Sequence, residues 1–380
     1  MIYRFFSLIL SFVVKKFFRR ITVLGEPIKG APVIFTCNHP NMGVDPILVG
    51  ATARRPLHFM AKSTLFSNYF LRLFFRSLNM VPAYRRSDNE DTKKNEESFK
   101  EAIDVLKNSG AFVIFPEGTS TEGRTLLPIK SGAARIALQS GLPVKIQPVT
   151  ITYLEPKEFR SYVTVTYHDP ISVSEKDDVK TLTSEIEKRL KEADVELGTT
   201  EDEVILSKVG KIFVRSNSFD DQAMLKRIAK SLKDEDKKKN LLPELEDFFK
   251  KCEEVGIPPE LVQSGNKLEH SLIGLLGSLA AIFNYIPRKI TALLVRSKSS
   301  LETAQSRLIL GACIYLTWYV LCVIIFGLFL REALIIIPIG AYFLETSQVY
   351  FAYLKDLPKS SISKLAFEKE TLQRKLLEAE

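Results

Sequence analysis

Between Pro32 and Tyr167, short runs rich in β-branched and aromatic residues recur, and longer amphipathic stretches separate several of them. The runs are PVIFTC from Pro32, LHFMA from Leu57, NMVPAY from Asn79, AFVIFP from Ala111, LPVKIQPVTITY from Leu142 and YVTVTY from Tyr162. Their length and side-chain types predict strands. Helical patterns lie between them: DPILVGATA from Asp45, TLFSNYFLRLFFRSL from Thr64, and NEESFKEAIDVLKNSG from Asn95. In the last, Phe99, Ile103 and Leu106 share one face, and Gly110 stands where a helix C-cap is expected. Strands alternating with helices predict an α/β domain, a sheet with helices on its faces. Tyr153 to Tyr167 predicts a hairpin return.

The apolar residues outside this region are clustered. Ile2 to Phe18 reads IYRFFSLILSFVVKKFF and is followed by Arg19 and Arg20. A secretory signal would carry its charge first and end in small residues. With the basic cluster behind it, this stretch predicts a helix lying at a membrane interface. Leu308 to Leu330 is 23 residues without a charge, and a helix needs about 20 apolar residues to cross a bilayer. A second apolar stretch, ALIIIPIGAYFLETSQVYFAYL, follows and is interrupted by Pro338 and Glu345. Together they predict a transmembrane helical hairpin. The basic residues Arg288, Lys289, Arg296, Lys298, Arg307, Lys355 and Lys359 place both of its ends on the cytoplasmic side. Ser271 to Ile286 is apolar but short, which predicts an interfacial or re-entrant segment.

Lys and Arg total 53 against 45 Asp and Glu, a net charge of +8. That excess suits anionic partners without choosing among them. A nucleic-acid binder is disfavoured, because the aromatics are not interleaved with a basic stripe. The charge run KDEDKKKN from Lys233 is mixed in sign and reads as solvated surface. Cys37, Cys252, Cys313 and Cys322 are scattered. They predict neither a zinc site nor a disulfide framework, and they suit a reducing compartment. No metal and no cofactor are expected.

Three stretches carry chemistry. In CNHPNMGVDP, His39 precedes Asp45 by six positions. A histidine general base presents one ring nitrogen to the group it deprotonates and donates through the other to a carboxylate. Pro40, Asn41 and Gly43 suit a turn that folds Asp45 back onto His39. In FPEGTSTEGRTLLPIKSGAARIAL, an apolar strand ends abruptly at Pro116-Glu117-Gly118-Thr119, and strand ends are where α/β folds bind ligands. Lys130, Ser131 and Gly132 then open a helix whose N-terminus favours an anion. In VPAYRRSD, Arg85 and Arg86 follow another strand, and guanidinium groups grip phosphate bidentately.

In this order, His-x5-Asp, Tyr-Arg-Arg, Phe-Pro-Glu-Gly-Thr and LPVKIQPV resemble the four motifs of the PlsC-type glycerolipid acyltransferases. These include glycerol-3-phosphate and 1-acylglycerol-3-phosphate (lysophosphatidate) acyltransferases. The resemblance covers roughly residues 30 to 170, and the tail resembles longer bacterial members. It implies that His39 is the base and Asp45 its orienter. It further implies that Arg85, Glu117, Gly118 and Thr119 belong to the acceptor site, and Pro148 to the motif-four strand. Two departures stand out. The family's usual spacing is His-x4-Asp, one residue shorter, although a variant beginning NHPN occurs in some bacterial and fungal members. The arginine that commonly follows the FPEGT threonine is Ser120 here, and Arg124 or Lys130 is expected to supply its charge.

The expected organisation is an interfacial helix over residues 1–29, an acyltransferase domain over 30–172, a charged helical region over 173–262, an interfacial segment over 263–300, and a transmembrane hairpin with a charged tail over 301–380. The expected activity is transfer of an acyl group from acyl-CoA or acyl carrier protein to glycerol-3-phosphate at the cell membrane, with the catalytic domain on the cytoplasmic side. The arginine pair in motif two favours glycerol-3-phosphate; lysophosphatidate is the alternative acceptor. A rival class is a lipid-binding membrane protein built on a degenerate acyltransferase domain. The intact His39, Asp45 and Glu117 count against it.

Overall fold

The computed structural model describes residues 2–85, 90–121, 125–156, 158, 161–174, 176–193, 200–213, 226, 228–230, 234–256, 259, 262, 284–295, 300–327 and 359–378. They fall into two units. One comprises Met1–Glu196 with Ser299–Leu308, the other Leu197–Lys298 with Ile309–Glu380.

The first unit is built on a mixed sheet of β1 (Arg20–Leu24), β2 (Val33–Cys37), β3 (His58–Lys62), β4 (Met80–Ala83), β5 (Ala111–Ile114), β6 (Lys145–Tyr153), β7 (Tyr162–Tyr167) and the short β8 (Ile171–Ser172). The order is β1-β7-β6-β2-β5-β3-β4, with β8 on β6. The stretch from β6 through β4 is parallel. The expected hairpin return is antiparallel β6–β7, with Tyr153 opposite Val163 and Val149 opposite Tyr167. Strand β1 has no counterpart in the sequence reading. RITVL directly follows the basic cluster of the first helix and lies at the sheet edge, so little burial marks it out.

Period-two alternation sorts the strands between two cores. Val33, Phe35 and Cys37 of β2, Ala111 and Val113 of β5, and Val149, Ile151 and Tyr153 of β6 face one side. They meet Val14 and Phe17 of α1 (Ile2–Phe17) and Leu48 and Val49 of α2 (Val44–Thr52). Ile34, Phe112, Ile114 and Ile146 face the other side. They meet Phe99, Ala102 and Leu106 of α4 (Asn95–Lys107), Ile136 of α5 (Gly132–Gln139) and Ile186 of α6 (Val179–Ala193). Both faces of β2 are covered, which explains its unbroken apolar run. Full burial of a side chain such as Phe35 contributes about 1.5–3 kcal/mol.

Two local details differ from the sequence expectation. The stretch from Thr64 is not one helix: a 3₁₀ turn over Ser63–Phe66 ends before α3 (Tyr69–Ser77). The Asn68 side chain separates them, because it accepts from the N–H groups of Phe70 and Leu71 at 2.9 and 3.3 Å and caps the new helix. At the end of α4, the left-handed residue is Ser109 (φ 56°) rather than Gly110. Ser109 N–H bonds to Leu106 O and Gly110 N–H to Val105 O, each at 2.9 Å, which is a Schellman closure. Glycine is still needed at 110, since a Cβ there would collide with the Val105 carbonyl.

In the second unit, α7 (Thr200–Phe213), α8 (Glu235–Val255) and α11 (Lys359–Glu378) pack on Phe213, Leu245, Phe248, Leu365 and Leu372. Surface ion pairs join Lys251 to Glu368 and Lys375 to Glu244. Residues 285–295 form α9 (Tyr285–Val295). The long α10 (Ser300–Gly327) takes in most of the uncharged run. The rest of that run, the second apolar stretch and most of Ser271 to Ile286 lie outside the described residues. Among the described residues, no helix is long and apolar enough to cross a membrane.

Candidate active site

The C-terminal ends of the parallel strands meet on one edge of the first unit, and the chemistry-bearing loops leave from there. Strand β2 is in register with β6, Cys37 opposite Val149. The next residue locks that pairing. Asn38 accepts the Ile151 N–H at 2.7 Å through Oδ1 and donates to Ile151 O at 3.3 Å through Nδ2. His39 therefore leaves the sheet from a fixed position.

The loop then turns into α2. Met42 takes a positive φ of 42°, a costly conformation for a bulky side chain. Val44 N–H bonds to Asn41 O and Asp45 N–H to Met42 O, at 3.0 and 3.3 Å. The turn puts Asp45 in the first turn of α2, where the helix dipole favours a carboxylate. Asp45 is wholly buried and its oxygens are occupied. Oδ2 accepts from the His39 ring and from the Asn41 N–H, both at 2.8 Å. Oδ1 accepts from the Tyr153 hydroxyl at 2.5 Å. The Asn41 side chain donates to Pro156 O at 2.7 Å, which ties the loop to the end of β6.

The bond to Asp45 uses Nδ1 of His39, so in the neutral imidazole Nε2 is the basic nitrogen. The His39 ring stacks on Phe115, centroids 4.1 Å apart, and 14 % of the side chain is exposed. Burial pushes the Tyr153 hydroxyl well above the usual tyrosine range, and the Asp45 charge adds to the effect. The Cys37 thiol is raised for the same two reasons.

Glu117 joins the two motif loops. Its Oε1 accepts the His39 N–H at 2.8 Å and its Oε2 the Leu127 N–H at 3.0 Å. Thr121 N–H reaches His39 O at 3.4 Å. Gly118 has a φ of 73°, and a Cβ there would run into the Lys130 ammonium. Lys130 also donates its N–H to Pro116 O at 2.8 Å. Its side chain therefore lies over the turn that holds His39. Thr119 is exposed on that turn.

Arg85 is farther off. It follows β4, three strands from β2, or about 14 Å at the usual ~4.8 Å spacing. Its approach is fixed by Asn95 at the start of α4, whose side chain exchanges hydrogen bonds with Tyr84 N–H and O at 2.9 and 2.8 Å. Arg124 and Arg86 lie outside the described residues. The structure thus brings His39, Asp45, Glu117, Gly118 and Lys130 together and sets Arg85 toward the far edge.

Sequence reasoning missed Asn38, Tyr153 and Gln305. Asn38 adjoins the motif histidine, but only the β2–β6 register reveals its clamp. Gln305, in the first turns of α10, accepts the Gly43 N–H at 3.2 Å. Nearby, Arg307 pairs with Glu158 and Leu308 is buried in the core. Such a link across the chain has no signal in local sequence.

The family model described as Acyltransferase matches residues 20–152, from β1 to the end of β6. A 1-acyl-sn-glycerol-3-phosphate acyltransferase of Cocos nucifera is 31% identical over 166 residues, covering 42% of this chain and 52% of that one. The enzyme of that name from Escherichia coli is 28% identical over 181 residues, covering 44% of this chain and 71% of that one. Glycerol-3-phosphate O-acyltransferase 2 of Saccharomyces cerevisiae is 37% identical over 87 residues, covering 22% of this chain and 12% of that one. The match therefore spans about half of the coconut relative and a small part of the yeast one. A solved structure, PlsC from Thermotoga maritima, has a TM-score of 0.40 at 23% identity, covering 50% of this chain and 78% of that chain. Through residues 20–152, the chain matches the Acyltransferase family model and is similar in sequence to glycerolipid acyltransferases.

Proposed function

We propose that this protein transfers a fatty acyl group from a thioester donor, acyl-CoA or acyl carrier protein, to a hydroxyl of glycerol-3-phosphate. The observation that carries the reading is the His39 Nδ1 to Asp45 Oδ2 bond of 2.8 Å, which leaves Nε2 as the base. The acceptor hydroxyl gives its proton to Nε2 as its oxygen attacks the thioester carbonyl. The tetrahedral adduct collapses with cleavage of the C–S bond, and the departing thiolate takes the proton from the imidazolium. Asp45 holds the ring and stabilises the imidazolium formed midway. The acceptor is itself the nucleophile, so no acyl-enzyme is required. Lys130, over the turn that carries Glu117, supplies positive charge close to His39 for the acceptor phosphate. Arg85 supplies it farther along the same sheet edge.

The second reading, lysophosphatidate as acceptor, is favoured by the names of the coconut and Escherichia coli relatives. Both acceptors present a hydroxyl near a phosphate, so the His39 chemistry serves either. Acyl transfer from labelled donor to each acceptor, with the product's mass and regiochemistry determined, decides between them. Faster turnover of glycerol-3-phosphate supports the first reading, and exclusive use of lysophosphatidate replaces it with the second.

Membrane attachment is part of the proposal. Helix α1 exposes Phe5, Leu8, Ile9 and Phe12, and α3 has no buried residue, exposing Tyr69, Phe70, Leu71 and Leu73. The two helices touch through the Phe6 and Phe74 rings, edge to face at 5.3 Å. Neither contains an acid, while Arg4, Lys15, Lys16, Arg72 and Arg76 lie among the apolar residues. An apolar face set in basic charge suits the headgroup region of an anionic bilayer. The apolar sequence from Leu308 onward adds a deeper anchor on the same reading.

A further inference from the structure

We infer that Tyr153 is a positioning residue of the catalytic machinery: a buried hydroxyl that holds Asp45 from the side opposite His39 and sets how strongly Asp45 pulls on the imidazole. The inference rests on the proposed role of His39 as base.

The geometry is specific. Tyr153 is the last residue of β6, in line with Val149 and Ile151 on the face that packs against α1 and α2. Its ring lies against Phe18, centroids 5.7 Å apart. The ring is buried, and the hydroxyl reaches Asp45 Oδ1 at 2.5 Å. The direction of that bond follows from chemistry. An ionised carboxylate can only accept. Because burial and the Asp45 charge keep the phenol protonated, it remains a donor throughout the range in which His39 works.

Three donors therefore converge on Asp45: the Tyr153 hydroxyl on Oδ1, and the His39 ring with the Asn41 N–H on Oδ2. A buried carboxylate needs such donors to stay ionised. Bonds to a charged acceptor are roughly twice as strong as neutral ones. Tyr153 thus fixes the rotation of the carboxylate, so that Oδ2 faces the imidazole. It also draws charge toward Oδ1, away from His39. The other groups around His39 are Glu117 on its backbone N–H, the neighbouring Cys37 thiol, and the Lys130 ammonium over the Gly118 turn. None of them touches Asp45 Oδ1 in place of Tyr153.

The test is Tyr153→Phe, which removes one hydroxyl and keeps the packed ring. Turnover should fall about tenfold or more, with both acceptor and donor KM unchanged. The acid limb of the kcat/KM profile should move to higher pH by roughly half a unit to one unit. The sign follows from charge: without its Oδ1 donor, Asp45 carries more charge on Oδ2 and retains the imidazolium proton longer. A purely structural role would lower thermal stability and scale activity equally at every pH. An unmoved acid limb, or wild-type turnover in the folded variant, overturns the inference. His39→Ala run in parallel separates the two claims. Full activity there removes the base itself, whereas an inactive His39→Ala beside a normal Tyr153→Phe removes only the role of Tyr153.

Discussion

Glu117 shows how a motif residue can hold a site together by its hydrogen bonds. Its two oxygens accept N–H groups from His39 and Leu127, one from each motif loop. Glu117→Ala leaves two partly buried donors without this partner, so stability should fall by about 1–3 kcal/mol in denaturant unfolding. A loss under about 0.5 kcal/mol would mean the tie is not formed in solution. Cation roles separate by distance. Lys130→Ala and Arg85→Ala should each raise the acceptor KM, with charge-assisted contacts contributing about 1.5–3 kcal/mol, and leave the donor KM unchanged. Arg85→Lys should recover part of its loss, because the charge returns without the fork. Equal impairment of both substrates would make either residue structural. The pairing of His39 with Asp45 was legible because both ends lie in one short loop rich in turn formers. Tyr153 was not, because its hydroxyl reaches that loop only through the β2–β6 register.

At the level of elements, alternation between β-branched runs and amphipathic stretches was enough to find the parallel strands and the β6–β7 return, since burial on both faces leaves a strong composition signal. Strand β1 escaped because an edge strand beside a basic helix end carries little of it. The break between Phe66 and Tyr69 was written in Asn68, a preferred N-cap residue, but the apolar periodicity on either side masked it. What periodicity cannot reveal is which apolar face stays uncovered. Helix α3 is apolar and yet exposed, Phe70 at 77 %. The chain has one tryptophan, Trp318, so Phe70→Trp in a Trp318→Phe background provides a single reporter. Its emission should shift to the blue on adding vesicles of anionic phospholipid and be quenched by brominated acyl chains. Emission unaffected by vesicles would show that α3 stays in water.

At the scale of the molecule, the chain divides between residues 196 and 197, with Ser299–Leu308 returning to the first unit, whereas the change in composition lies near residue 175. The packing of Lys359–Glu378 against the helices of residues 200–255 was not foreseeable, because the partners are separated by more than a hundred positions and joined by ion pairs. The uncharged run from Leu308 predicts that the full chain resists alkaline carbonate extraction, and complete release would contradict a spanning anchor. The central claim is that His39 is the base of an acyl transfer to a glycerol phosphate hydroxyl. The most direct measurement is single-turnover acyl transfer by purified wild type and His39→Ala, from acyl-CoA and from acyl carrier protein, with both acceptors present. Wild type should form the acylated glycerol phosphate, and the folded variant should be slower by at least about 10²-fold; equal rates for the two proteins, or no transfer by wild type from either donor, would contradict the account.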